Sequence, residues 1–280
     1  MPVSKEGAQR ALPRSFRILA MLTFGAILAL GSLATDPAPA LAAAKKVVIV
    51  VGPVGSQTSD YKDDAKRYAA YARSYGASVT EIYSPYATWT KVKNAAQGAN
   101  ILIYLGHGNG YPSPYGSFQR YTKDGLGLNA TSGNGNNNTK YWGEYYIDRD
   151  IQMAPNAVVI LARLCYASGN SEWGAANPTK STAIKRVDNY GAGFLRAGAK
   201  AVFAEGLNDV RYIIKNLYTS NRNMREIFFN SPNRTMTYRF HFASNRTSWA
   251  VASMDPYKPS RYYRSVIGKL SVTAAEWRAS

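Results

Sequence analysis

The chain has 280 residues, with 34 Lys and Arg against 17 Asp and Glu, a formal net charge of +17. Its single cysteine excludes an intrachain disulfide framework, and basic residues scattered along the chain rather than clustered argue against nucleic acid as a partner. Strong positive charge instead suits anionic polymers, wall phosphates or membrane surfaces.

The N-terminus reads as an export signal. Lys5, Arg10, Arg14 and Arg17 precede an apolar run from Ile18 to Ala34, and a small-residue stretch ending Ala40-Leu41-Ala42 follows. A basic start, an apolar middle and an A-x-A site make a secretory signal peptide spanning 1–42, with the mature chain starting at or near Ala43. The competing reading is an uncleaved anchor, because the run is long for a signal. Gly25 and Gly31 interrupt it, and Asp36, Pro37 and Pro39 follow in place of a basic stop-transfer cluster. Cleavage removes little of the charge, leaves no span apolar enough for a bilayer, and leaves enough chain for one well-buried α/β domain. The expected location is extracytoplasmic.

Next comes KKVVIVVG, a β-branched run expected to form a buried parallel strand over Val47–Val51. Thr58-Ser59-Asp60 caps an expected helix from about Tyr61 to Tyr75, where Ala65, Tyr68, Ala69 and Ala72 recur at helical spacing and Gly76 stops the pattern. Val79–Tyr83 alternates as a second strand, Trp89–Ala96 offers a short helix, and NILIYL (100–105) forms a third strand running into Gly106-His107-Gly108. Residues 109–155, rich in Gly, Asn, Pro, Ser and Tyr, read as a long surface insertion rather than core. Ala157–Leu161 is a fourth buried strand with Cys165 just past its end. Tyr190–Ala197, Asp209–Tyr218 and Asn223–Phe229 are expected helices, and Ala199–Ala204 a fifth strand. The organisation is thus a signal over 1–42, an α/β domain over 43–230 with its insertion, and an extension over 231–280, where only a strand pair around Thr237–Ala243 and Trp249–Ser253 suggests itself. Strands alternating with helices imply an α/β fold with a mainly parallel sheet and helices on both faces.

In such a sheet, functional groups gather beyond the carboxyl ends of the strands. His107 and Cys165 each follow an apolar strand, so neighbouring strands would bring imidazole and thiol to one edge. A nearby imidazole favours the thiolate or takes its proton during attack, and the amides of Gly108 and Cys165 are suited to an oxyanion. Taken singly, a cysteine at a strand end reads as a small buried hydrophobe and a histidine beside glycine as a loop residue. The second histidine, His241, has a strand context (FHF) and is not expected to take part.

The order NILIYLGHGNG, insertion, NAVVILARLCYASGN resembles the caspase-like cysteine peptidases, the group that includes caspases, metacaspases, legumains, gingipains and clostripain. NYGAGFLRAGAKAVFAEG also looks like the helix and strand after the cysteine in bacterial members. The likeness covers roughly Lys45 to Gly206. It implies a three-layer sandwich and a hydrolase, an endopeptidase acting on peptide or protein substrates through a thioester, without a cofactor. Cys165 would be the nucleophile, His107 the base, and Gly108 an oxyanion contributor. The chain departs from the pattern at Leu164, where many relatives have a small residue, and at Ser168-Gly169, which sits one step further from the cysteine. Some relatives carry an acidic side chain two residues before the cysteine; here it is Arg163, which would select a substrate carboxylate unless it pairs with Glu172 or Asp188. The rival reading is a non-catalytic exported binding protein on the same fold, holding an anionic cell-wall or surface polymer.

The insertion offers weaker signals. Asp124, Asn129, Asn134 and Asn136 carry oxygen ligands of the kind calcium takes, but their spacing fits a plain Gly/Asn turn better, and no metal site is assigned. Asn129, Asn137, Asn233 and Asn245 begin formal glycosylation sequons. Aromatic residues from Tyr111 to Tyr146 either form a platform for sugars or peptides or pack the insertion onto the domain.

Overall fold

A computed structural model describes residues 44–280. The expected signal peptide, 1–42, lies outside the described residues. The strands are β1 (Lys46–Val51), β2 (Ser78–Tyr83), β3 (Ile101–Leu105), β4 (Leu126–Asn129), β5 (Thr139–Trp142), β6 (Val158–Ala162), β7 (Ala201–Glu205), β8 (Phe240–Ala243), β9 (Val251–Met254) and β10 (Arg264–Gly268). The helices are α1 (Thr58–Arg73), α2 (Trp89–Ala96), α3 (Glu144–Asp150), α4 (Lys180–Arg196), α5 (Arg211–Thr219), α6 (Met224–Phe229) and α7 (Ala274–Ala279).

Eight strands form one sheet in the order β2-β1-β3-β6-β7-β10-β9-β8. The first five pair in parallel, and β10, β9 and β8 continue the sheet antiparallel. The apolar runs of the central strands have one cause: both faces are covered. Val48, Val50, Leu102, Tyr104, Val159 and Leu161 point into a core shared with α2, α3 and α4. Their neighbours Val47, Ile49, Ile101, Ile103, Val158 and Ile160 point into a second core shared with α1, α5, α6 and α7. The result is a three-layer α/β sandwich, as the alternation of strands and helices implied.

Three stretches differ from the expectation. Helix α4 begins ten residues before Tyr190, at Lys180, where the Thr179 hydroxyl accepts the Thr182 amide as an N-cap. Its interior glycines serve packing: a Cβ on Gly191 would lie 2.5 Å from Ile267 on β10. Residues 109–155 are not merely surface. Leu126, Leu128, Ile147, Ile151 and Met153 are buried core residues, held there because β4 and α3 cover an open part of the first core. Finally, 231–280 is not an appendage to a domain ending at 230. It supplies β8–β10 to the main sheet and α7 to one face, with Trp277 fully buried.

The join between parallel and antiparallel halves is made by a buried ion network. Arg264, at the start of β10, reaches Glu205 at the end of β7 at 3.0 Å and Asp255 at 2.6 Å, and also donates to the Phe228 carbonyl at 2.7 Å. The Tyr212 hydroxyl and Asn208 amide complete the shell of Glu205. Arg264→Ala leaves two carboxylates buried without their cation, and should lower unfolding free energy by about 3–5 kcal/mol. Urea denaturation checks this; an unchanged midpoint would contradict the network's role.

Candidate functional site

Strands β3 and β6 are hydrogen-bonded neighbours in parallel register, with Leu105 opposite Ala162. Two residues past Leu105 stands His107, and three past Ala162 stands Cys165, so both emerge at the carboxyl edge of the sheet. The turn carrying His107 is held from below by Tyr104. Its buried hydroxyl accepts the Gly127 amide and donates toward the carbonyls of Gly127 and His107. The insertion therefore buttresses the histidine through β4.

The cysteine turn is bent sharply. Arg163 and Tyr166, either side of Leu164-Cys165, both have left-handed backbone, with φ of 61° and 70°. Non-glycine residues adopt this at a cost of about 1 kcal/mol or more each, and such strain gathers at functional sites. The Arg163 amide still bonds to the Glu205 carbonyl, so the turn springs directly from the sheet. Gly108 lies against it: a Cβ there would be 2.0 Å from the Cys165 carbonyl oxygen. Only glycine permits this approach. Neither the Gly108 nor the Cys165 amide donates to another main-chain group of the described residues.

Two clefts meet at this edge, of about 860 and 770 Å³, and His107, Cys165 and Glu172 line both. The first runs under the insertion past Tyr115 and Phe118; the second passes Tyr61, Arg163 and Trp173. The thiol is half-buried and the imidazole more exposed. Burial pushes the Cys165 thiol up to about 11; the Glu172 carboxylate adds to the rise and the Trp173 amide opposes it. Partial desolvation holds His107 below the usual imidazole value, with Glu172 opposing. No hydrogen bond joins thiol and ring. Both shifts favour the uncharged forms at neutral pH, a thiol able to give a proton and an imidazole able to take one, in the same clefts.

Other sequence candidates lie as follows. Arg163 lines the second cleft, and its guanidinium lies 2.7 Å from Asp64, which it shares with Arg67, and over the Tyr61 ring. Neither Glu172 nor Asp188 is its partner, and the premise of an unpaired arginine awaiting a carboxylate does not hold. His241, on β8 at the far edge of the sheet, pairs its Nδ1 with the Ser253 hydroxyl at 2.8 Å. Asn129 is fully buried; its side chain bonds to Ser84, Asn134, Gly135 and the Ala87 amide, so this sequon is inaccessible in the fold. Asp124 is buried and accepts the Tyr111 amide, sharing no hydrogen bond with those asparagines. Among the described residues, no three His, Cys, Asp or Glu side chains are grouped to hold a metal ion, and no helix is long and apolar enough to cross a membrane. Glu172 entered the sequence reading only as a partner for Arg163. Seven residues past the cysteine in an irregular loop, it has no periodic signal to mark it.

Neither protein-family models, curated proteins nor solved structures yield a match to this chain.

The thiol environment predicts a specific pH dependence. A raised acid constant keeps Cys165 protonated at neutral pH, so alkylation by iodoacetamide should be slow there and climb as pH rises toward about 11. A rate already at its plateau near neutral pH would contradict this environment.

Proposed function

We propose that the protein is an exported cysteine hydrolase of the caspase-like peptidase type, an endopeptidase with Cys165 as nucleophile and His107 as base. The observation that carries the reading is that His107 and Cys165, from the ends of adjacent parallel strands, both line each of the two clefts at that edge. A chain-like substrate laid through both clefts has its middle over the thiol.

The chemistry follows from the resting protonation state. Cys165 Sγ attacks the scissile carbonyl carbon while His107 takes the thiol proton, so no stable thiolate is needed beforehand. The carbonyl oxygen becomes an oxyanion facing the Gly108 and Cys165 amides. On collapse, the C–N bond breaks, His107 returns its proton to the leaving amine, and a thioester to Cys165 remains. Water then attacks the thioester with His107 again taking a proton; the C–S bond breaks, the thiol is restored, and a carboxylic acid product departs.

Export places this activity outside the cytoplasm, where the chain's positive balance suits contact with an anionic cell-surface polymer. Purified protein assayed on a peptide library should show thiol-dependent cleavage. Cys165→Ala should abolish it, and His107→Ala should lower kcat/KM by about 10²–10⁴-fold. His241→Ala should leave it intact. The acid limb of the kcat/KM profile should lie below the usual imidazole value, as partial desolvation of His107 requires. Turnover that survives Cys165→Ala would refute the proposal, and peptide retention without any turnover would favour the binding-protein alternative.

A further inference from the structure

The cleft junction holds one carboxylate with no cation against it. Glu172 is fixed by two phenols: the Tyr115 hydroxyl donates to Oε2 at 2.7 Å and the Tyr166 hydroxyl to Oε1 at 2.8 Å. Each oxygen keeps acceptor capacity beyond these bonds. Three nearby cations have internal partners, while Arg261, exposed in the lining of the second cleft, holds only the Tyr263 hydroxyl. Arg163 is paired with Asp64. Lys123 gives its ammonium to the Asn109 and Ser113 side chains and the Tyr115 carbonyl, at 2.9, 3.0 and 2.9 Å. Arg186 spends its guanidinium on the Pro112 and Asn170 carbonyls at 2.7 Å each, and on the Ser171 hydroxyl at 3.1 Å. Lys123 and Arg186 are near enough to feel Glu172's charge, but neither touches it. A second carboxylate, Asp60, faces the same cleft as Arg163 and forms no ion pair among the described residues.

We infer that Glu172 is a specificity residue: it receives the ammonium or guanidinium of a substrate Lys or Arg side chain lying close to the bond over Cys165. The inference deepens the hydrolase reading and rests on it for the position of that bond. A partly desolvated carboxylate oriented by two hydroxyls makes a strong charge-assisted pair with such a group, and Arg can engage both oxygens at once. Bound there, the substrate cation also offsets the negative charge that opposes thiolate formation, so correct recognition and nucleophile activation are coupled. The protein as a whole carries +17 and repels cations at long range. A preference for basic peptides therefore has to come from local carboxylates.

The test is binding to Cys165→Ser protein of peptide arrays, N-acetylated and C-amidated, in which one Lys or Arg is exchanged for norleucine or citrulline. Cationic members should bind tighter by on the order of tenfold or more. Glu172→Gln, which keeps the shape, an acceptor oxygen for one tyrosine and an NH2 that donates to the other's hydroxyl, should remove that difference, and Glu172→Lys should shift preference toward Glu-containing peptides. Parity between cationic and neutral peptides, absence of measurable binding, or a preference that survives Glu172→Gln would overturn the inference. Turnover by the native chain is read separately. Cleavage of neutral and cationic peptides at equal rates overturns the role of Glu172 and leaves the hydrolase standing. A cationic binding preference with no cleavage of any peptide by the native chain leaves the recognition role and removes the hydrolase.

Discussion

The parallel pairing of β3 with β6 is the constraint on which the rest of the site depends. Parallel neighbours in register finish at the same edge, so whatever follows Leu105 and Ala162 must share a small volume. Helices on both faces bury the two strands completely, which fixes their register and allows neither to slide. The close approach of Gly108 to the Cys165 main chain is a consequence of that register, since the turns leave adjacent strands and have only backbone between them. Rigid support from below then permits an unfavourable backbone above: left-handed residues on either side of Leu164-Cys165 persist because the sheet and the Glu205 carbonyl hold the turn in place.

Charge is distributed with the same economy. In a chain rich in Lys and Arg, three of the basic groups around the cleft have internal partners: Arg163 shares Asp64 with Arg67, Arg186 meets loop carbonyls, and Lys123 meets the insertion. Each bond ties a loop down and at the same time withdraws a cation from the cleft. Arg186 joins the segment after Gly110 to the segment bearing Glu172, with its guanidinium also over the Tyr166 ring. The clefts on either side of Cys165 are therefore shaped by the same interactions that leave Glu172 without a cation against it in the lining of both.

Much of this was legible in the sequence, and the reasons it was or was not are physical. Runs such as VVIVV and VVILA are buried on both faces and could hardly be anything but central strands. Their order, with His-Gly and Cys placed just beyond two of them, was enough to locate a shared edge. Helix α4 lost its first turns, 180–189, to prediction because Ser181, Thr182, Val187, Asp188 and Asn189 are weak helix formers, and the N-cap at Thr179 follows an irregular loop with no local pattern to mark it. The core role of Leu126, Leu128 and Ile147 was hidden by surrounding Gly and Asn residues, which shape turns but do not reveal what those turns cover. Strand β10 carries Arg264 in its interior-facing set, and a buried arginine reads from sequence as an exposed one until Glu205 and Asp255 are seen beside it. Pairings that bridge distant segments, such as Arg163 with Asp64 or Tyr115 with Glu172, leave no local pattern at all.

The central claim is that Cys165 is a nucleophile whose proton is taken by His107. The most direct measurement is acid-quenched mass spectrometry after brief exposure of the protein to an activated peptide ester, with the adduct mapped to its peptide. The account predicts a thioester on Cys165, formed far more slowly in His107→Ala at the same pH. Acylation elsewhere in place of Cys165, or acylation of Cys165 at an unchanged rate without His107, would contradict it.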